Sequence, residues 1–400
     1  MTDEILQYPF VHDHALDIDV RFQELQRRPP VLVQMPYGPP CWLATRYEDV
    51  RAIFSDDRFS RVIAPGAEAP GAMRGASLVD TSMPLGQDAP QHVRVRRVTA
   101  PVFSPRVIRT MTVQLQEIVD RLLDDMVEHG PGADFVEAFT WNLPLTALTL
   151  LMGVPVEDAA TFRGWVETST SELALEGERL DAMVQTSQYI EHLIAARRAR
   201  HYDDLLGMLV DACDSGERLT EAEVRGLMMS LVAGGFETMA SQLGSSVYAL
   251  MTHRNVWDEL LDGRAELDAT LNELWRWIPG FRYGTTFCRW AKADVELGDG
   301  FVIQAGDAVM PEQPVANRDL AVFPHGWDLD VHRVAPRPHL ALGFGSHLCM
   351  GIHLAKLQVE LTVRTLLRRF PTLELAVRDE EIEWPEWMFM RQVGALPLTW

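Results

Sequence analysis

The sequence predicts a mainly α fold with small β-sheets, an α+β arrangement in one large domain spanning residues 1–400. Three observations lead there. Long stretches carry apolar residues at helical spacing; strand-like pieces are few and short; and no Gly/Ser tract, Pro-rich linker, charge block or internal repeat divides the chain. Length alone would allow two or three domains. Apolar content of 47% is ordinary for a chain that buries one large core.

In chain order, strand-like pieces at residues 31–35 and 41–44 come first. Asp88-Ala-Pro90-Gln91-His92-Val-Arg94-Val-Arg96-Arg97 then begins like a helix, with Asp88 as cap, Pro90 in the first turn and Gln91 in the capping-box position. Helical periodicity covers residues 109–128, 143–151, 179–200, 220–252 and 267–278. Short β pieces follow at 285–289, 295–297 and 302–303, and a last helical run, 354–361, follows a glycine-rich turn.

The formal net charge of −21 argues against nucleic acid or an anionic membrane as a general partner. Residues 1–9 show neither a basic n-region nor an apolar h-region, and no stretch approaches the roughly 18 apolar residues of a membrane span. Cys41, Cys213, Cys288 and Cys349 are far apart, which speaks against structural zinc, covalent c-type haem attachment and a disulfide framework. A reduced, cytoplasmic protein is the expectation.

Cys349 stands out within Leu342-Gly-Phe-Gly-Ser-His347-Leu-Cys349-Met-Gly351-Ile-His-Leu354-Ala355. A lone cysteine is usually a small buried hydrophobe. Here a glycine-rich turn delivers the thiol to a helix start, where unpaired N–H groups and the positive dipole end favour thiolate. Gly343, Gly345 and Gly351 let backbone approach a flat ligand. A thiolate so placed suits haem iron.

This stretch closely resembles the haem-binding loop of the cytochrome P450 family, Phe-Gly-x-Gly-x-His/Arg-x-Cys-x-Gly-x-x-Leu-Ala, met at every fixed position except Leu342 for Phe. The resemblance implies the P450 fold, with haem b between a long central helix and the Cys-loop helix and an axial thiolate from Cys349. Residues 220–252 hold Gly234-Gly235-Phe236-Glu237-Thr238, matching the family's acid–alcohol motif. Two glycines inside a helix cost about 1 kcal/mol each. Either close packing against a neighbour or a flat cofactor against the backbone explains them. Thr238 can also bond a carbonyl one turn back and open the helix ladder locally. The resemblance assigns Thr238 and Glu237 to proton delivery.

Glu273-Leu-Trp-Arg276 matches the structural Glu-x-x-Arg signature. Asp328 falls where a third, basic member of that lock is expected, leaving His325, His332 or Arg333 as substitutes. His92 and Arg96, four apart on one helix face, match the family's haem-propionate contacts, as do Arg289 and His347. Leu342 beside the sulfur is expected to alter redox potential or haem packing slightly.

The resemblance runs from about Trp42 to Leu398 and implies a haem-thiolate monooxygenase that inserts one oxygen atom from O2 into a small-molecule substrate. A medium-to-large apolar organic compound, a secondary metabolite undergoing hydroxylation or epoxidation, is the expectation. Substrate would meet residues 62–85, 167–180, 280–287 and 386–391, with Met73, Leu78, Phe236, Phe281, Arg282, Trp387, Met388 and Phe389 as candidates; Arg282 would meet a substrate carboxylate or face solvent. No flavin or iron–sulfur motif is present, so a separate ferredoxin would supply electrons, docking near Arg94, Arg97, Arg106 and Lys356. A monomer is expected. Rival readings are oxidative coupling or desaturation by the same centre, a peroxide-driven haem-thiolate enzyme, and a non-catalytic haem binder or sensor.

Overall fold

The structure is a computed structural model that describes residues 5–10, 15–63, 68–71, 83–170, 174–200, 204–214, 219–282, 284–385 and 390–400. The chain forms two compact units. The first takes Met1–Thr81, Leu85–Val93 and Asn272–Cys349; the second takes Ser82–Pro84, Arg94–Leu271 and Met350–Trp400. Helices dominate, with three small sheets, as the sequence predicts.

The first unit is built on a six-stranded sheet in the order Leu6–Gln7, Val31–Gln34, Cys41–Ala44, Ala308–Pro311, Arg289–Ala291, Phe59–Ser60. Its register is fixed by Leu32↔Trp42 in an antiparallel pair, Leu43↔Met310 in a parallel pair and Arg289↔Val309 in an antiparallel pair. Alternation of side chains across the sheet feeds two apolar clusters. One contains Val33, Leu43, Met310 and Trp290, the other Ala44, Phe54, Phe59 and Val309.

The strand expected at 285–289 is corrected. Gly284–Phe287 is a 3-10 turn, and the ladder begins only at Arg289. Thr285, Thr286 and Phe287 have high strand propensity, but tertiary contacts prevail. The Gly284 N–H lies 3.4 Å from the Tyr8 hydroxyl, and the Phe287 carbonyl accepts from Arg289 Nη1 at 2.8 Å. The Asp88 cap is also corrected: helix Gln91–Thr99 forms, but the Asp88 carboxylate accepts from Ser60 Oγ and from the Arg61 N–H at 2.9 Å.

Glu273 and Arg276 share helix Leu267–Trp277 and meet in a bidentate pair, Nε–Oε2 2.7 Å and Nη2–Oε1 2.6 Å, both side chains buried. The third member is Arg333, whose Nε donates to Glu273 Oε1 at 3.1 Å. Asp328 contributes only its carbonyl, which accepts from Arg276 Nη2 at 3.0 Å and Arg333 Nη2 at 3.2 Å. Its side chain is exposed. The remaining Arg276 donor, Nη1, reaches the carbonyls of Asn317 and Gly326, each at 2.7 Å. Every charge in the cluster therefore has partners, the condition under which buried ions are tolerated.

In the second unit, helix Thr112–His129 buries Leu115, Ile118, Val119 and Leu122 at helical spacing. It is tied to helix Ile352–Arg369 by Gln116 Nε2 donating to Thr365 Oγ1 at 2.9 Å. The run expected as one helix over 109–128 is split. Ser104 caps a separate helix Pro105–Thr110, with proline in its first turn. Helix Glu237–Thr252 is buried on nearly every face.

Removing one member of a fully satisfied buried charge cluster leaves the others exposed to desolvation. Arg333→Met is expected to cost about 3 kcal/mol or more, whereas Asp328→Asn should stay within about 0.5 kcal/mol of wild type. Denaturant unfolding of both variants checks this, and equal effects would contradict the assignment.

Candidate active site

The Cys349 loop hangs from the charge cluster through a short relay. Arg276 holds the Asn317 carbonyl, and Asn317 Oδ1 accepts from the Leu340 N–H at 2.6 Å. The Leu340 carbonyl accepts from Gly343 N at 2.8 Å, and the Leu342 carbonyl from Cys349 N at 2.8 Å. The last bond closes the loop with Cys349 half-buried at its end. Leu342, standing where the family has Phe, thus acts here through its backbone.

The loop is shaped by two left-handed glycines, Gly343 at φ 79° and Gly345 at φ 69°. Gly345 has no alternative. A Cβ there would lie 2.5 Å from the Phe54 carbonyl oxygen and 3.1 Å from the Ser55 Cα. Helix Tyr47–Ser55 is the support: Tyr47 Oη donates to the Pro338 carbonyl at 2.7 Å, and the Arg51 guanidinium sits 4.9 Å from the Phe344 ring centre. Nothing in the local sequence spacing marks Tyr47, Arg51 or Phe54 as partners of residues three hundred positions later.

Three of the four predicted propionate contacts lie in this unit. The His92 and His347 rings stack with centroids 3.9 Å apart and planes 24° apart, although 255 positions separate them in sequence by their numbering. Arg289 is buried, donating to the Phe287 and Cys288 carbonyls at 2.8 and 3.3 Å. No carboxylate among the described residues lies within ion-pairing distance of it. Burial, and then the neighbouring Arg61, pushes this guanidinium well below the usual arginine range. Arg61 is itself buried and brought down to about 10 by burial. Two desolvated cations beside each other suit an anionic ligand. Arg96, the fourth predicted contact, is half-buried in the second unit on helix Gln91–Thr99.

The acid–alcohol pair lies in the second unit. The helix expected over 220–252 is interrupted: Glu221–Gly235 and Glu237–Thr252 meet at Phe236, with φ −98° and ψ −72°. The Thr238 hydroxyl donates to the Gly234 carbonyl, the back-bond that opens a helix ladder. Glu237 is buried beside it. The two glycines divide the two explanations between them. A Cβ on Gly235 would come 3.0 Å from Leu148 Cδ2, so Gly235 serves close packing; one on Gly234 would meet nothing within 4 Å, so its face is open.

Of the expected substrate segments, residues 64–67, 72–82, 171–173, 283 and 386–389 lie outside the described residues, and with them Met73, Leu78, Trp387, Met388 and Phe389. Phe236 is buried, its ring 5.1 Å from that of Trp141; Phe281 and Arg282 are half-buried. Of the expected docking cations, Arg97 and Arg106 are exposed and Lys356 is half-buried. Arg94 is engaged elsewhere: Nη1 donates to Glu223 Oε2 at 3.0 Å, reinforcing the capping box that Glu223 forms with Thr220. No helix among the described residues is long and apolar enough to cross a membrane.

The Cytochrome P450 family model matches residues 176–395. Nocardicin C N-oxygenase of Nocardia uniformis subsp. tsuyamanensis is 38% identical over 395 residues, covering 98% of each chain. Mycinamicin IV hydroxylase/epoxidase of Micromonospora griseorubida is 36% identical over 396 residues, again 98% of each. The crystal structure of the P450 hydroxylase from the leinamycin biosynthetic pathway of Streptomyces atroolivaceus S-140 superposes with a TM-score of 0.92 at 36% identity, covering 99% of this chain and all of that one. The chain belongs to the cytochrome P450 family and is an oxidoreductase of its monooxygenase class. The family implies haem with a cysteine thiolate ligand, a small-molecule substrate and a redox partner.

Gly345→Ala is expected to cost about 2 kcal/mol or more, since it adds left-handed strain to a backbone collision. Thermal melting together with haem retention after gel filtration checks it; a variant as stable and as fully loaded as wild type would contradict the close approach.

Proposed function

We propose that this protein is a haem-b monooxygenase in which Cys349 is the axial thiolate, acting on a medium-to-large apolar organic substrate of secondary metabolism by hydroxylation or epoxidation. The observation that carries the reading is the closed Cys349 loop, in which one backbone bond to Leu342 and two left-handed glycines, Gly345 pressed against Phe54, fix where the thiol sits. When bound, the haem supplies dioxygen activation and transfer of one oxygen atom to substrate.

The chain's own residues have separable tasks. Arg289, His92, His347 and Arg96 are the proposed propionate contacts. Gly234 leaves an open backbone face for a flat ligand, and Gly235 keeps the helix tight against Leu148. With its proton donated to the Gly234 carbonyl, the Thr238 oxygen turns lone pairs outward and can accept from a water. Glu237, next to it at the helix break, would bring solvent protons to that water. The names of the relatives, an N-oxygenase and a hydroxylase/epoxidase, support oxygen insertion into a secondary metabolite. The whole chain, 1–400, is proposed as a single haem domain working as a cytoplasmic monomer. Electrons would come from a separate ferredoxin meeting Arg97, Arg106 and Lys356, with Arg94 left to its capping partner.

Thr238→Ala tests the proton assignment. With the hydroxyl gone, substrate-bound turnover should divert most electrons to hydrogen peroxide, cutting product per electron roughly tenfold while the rate of electron consumption stays near wild type. Product yield and peroxide per reducing equivalent measure it; full coupling in the variant would contradict the role.

A further inference from the structure

One buried carboxyl in the first unit has no part in the site described so far. Glu312 begins the short helix Gln313–Ala316 and is buried, accepting from Tyr8 Oη through Oε2 at 3.0 Å. The Gly284 N–H points at the same pair, 3.4 Å from Tyr8 Oη and bonded to the Glu312 carboxyl. A Cβ on Gly284 would lie 2.6 Å from Glu312 Oε2, so with any other residue there the carboxyl would have to move. The same turn is gripped at its other end. Phe281 packs edge-on to Phe287 at 4.8 Å, Phe287 edge-on to Phe54 at 6.1 Å, and Arg289 holds the Phe287 carbonyl. Burying a carboxyl is expensive unless it is used. Here it serves one phenol and one backbone N–H of the turn.

We propose that Glu312, together with Tyr8, is a positioning residue for the turn Gly284–Phe287, holding its backbone so that Phe281 and Phe287 present a fixed aromatic wall to substrate. The substrate side of this rests on the reading above that residues 280–287 line the pocket.

Burial pushes the Glu312 carboxyl up to about 7, with the Tyr8 and Gly284 bonds holding it back. The titratable groups facing it are Tyr8, raised by burial and then by Glu312 itself, and the thiol of Cys41, raised by its bond to Cys288 and by burial. Because the folded value exceeds the unfolded one, the contribution to stability is full below the usual carboxylate range and is lost as pH rises through about 7.

The test uses the haem-loaded ferric enzyme, titrated spectroscopically with imidazole, which needs little room, and with 4-phenylimidazole, which fills the space beside it. Glu312→Gln and Tyr8→Phe should weaken 4-phenylimidazole by roughly five- to tenfold and imidazole by less than about twofold. Hydrogen exchange of the peptide spanning 280–288 should accelerate in both variants. Wild type should lose thermal stability between about pH 5 and 7, and Glu312→Gln should lose less. General destabilisation would weaken both ligands alike, and that result overturns the proposal. Phe281→Ala serves as the reference. If it weakens 4-phenylimidazole while Glu312→Gln and Tyr8→Phe do not, the positioning role falls and the pocket reading stands; if it too is without effect, the pocket reading falls and the proposal with it.

Discussion

The Glu273 carboxylate is the point from which the Cys349 loop is built. It is buried and accepts from two guanidiniums and one backbone N–H. Arg276 carries that organisation onward to Asn317; Asn317 fixes Leu340, and Leu340 and Leu342 close the loop that ends at Cys349. A surface ion pair of the same composition would be worth a few tenths of a kcal/mol. Burial changes the scale, because each charge in the cluster would be costly without the others. The thiol is thus placed by electrostatics two layers behind it as much as by the glycines beside it.

Much of this was legible in the sequence. The loop glycines, the Glu-x-x-Arg pair and the acid–alcohol motif are short-range patterns, and short-range patterns survive folding. The fold class was legible for the same reason, since helical periodicity is local. What local spacing could not supply was the outcome of competition between distant groups. Register put an acidic residue, Asp328, where the third, basic member of the lock belongs and left His325, His332 and Arg333 open as substitutes; Arg333 fills the place, because the loop turns back at His325, at φ 54°, and offers its carbonyls to both arginines. Asp88 has the position of a helix cap but finds Ser60 and Arg61 instead. The β-branched run before Arg289 has strand propensity, but Tyr8 and Glu312, remote in sequence, take its first backbone donor.

The interrupted helix shows how one motif can serve two physical ends. Periodicity ran unbroken through residues 220–252, and only the Thr238 back-bond and the Phe236 dihedrals end one helix and start another. Within the motif, Gly235 satisfies packing and Gly234 leaves a face open. Because both fall in the last turn of helix Glu221–Gly235, they cost less than the roughly 1 kcal/mol each of a helix interior. Arg289 and Arg61 pose the complementary case: two cations held out of water beside carbonyls, an arrangement that a bound dianionic ligand would stabilise.

The most direct measurement is the absorption of the dithionite-reduced, carbon-monoxide-bound protein, comparing wild type with Cys349→Ser at equal haem loading. Thiolate ligation by Cys349 predicts the red-shifted Soret band in wild type and its disappearance in the variant. A haem-loaded wild type without that band, or a Cys349→Ser protein that keeps it, would contradict the assignment of Cys349 as the iron ligand.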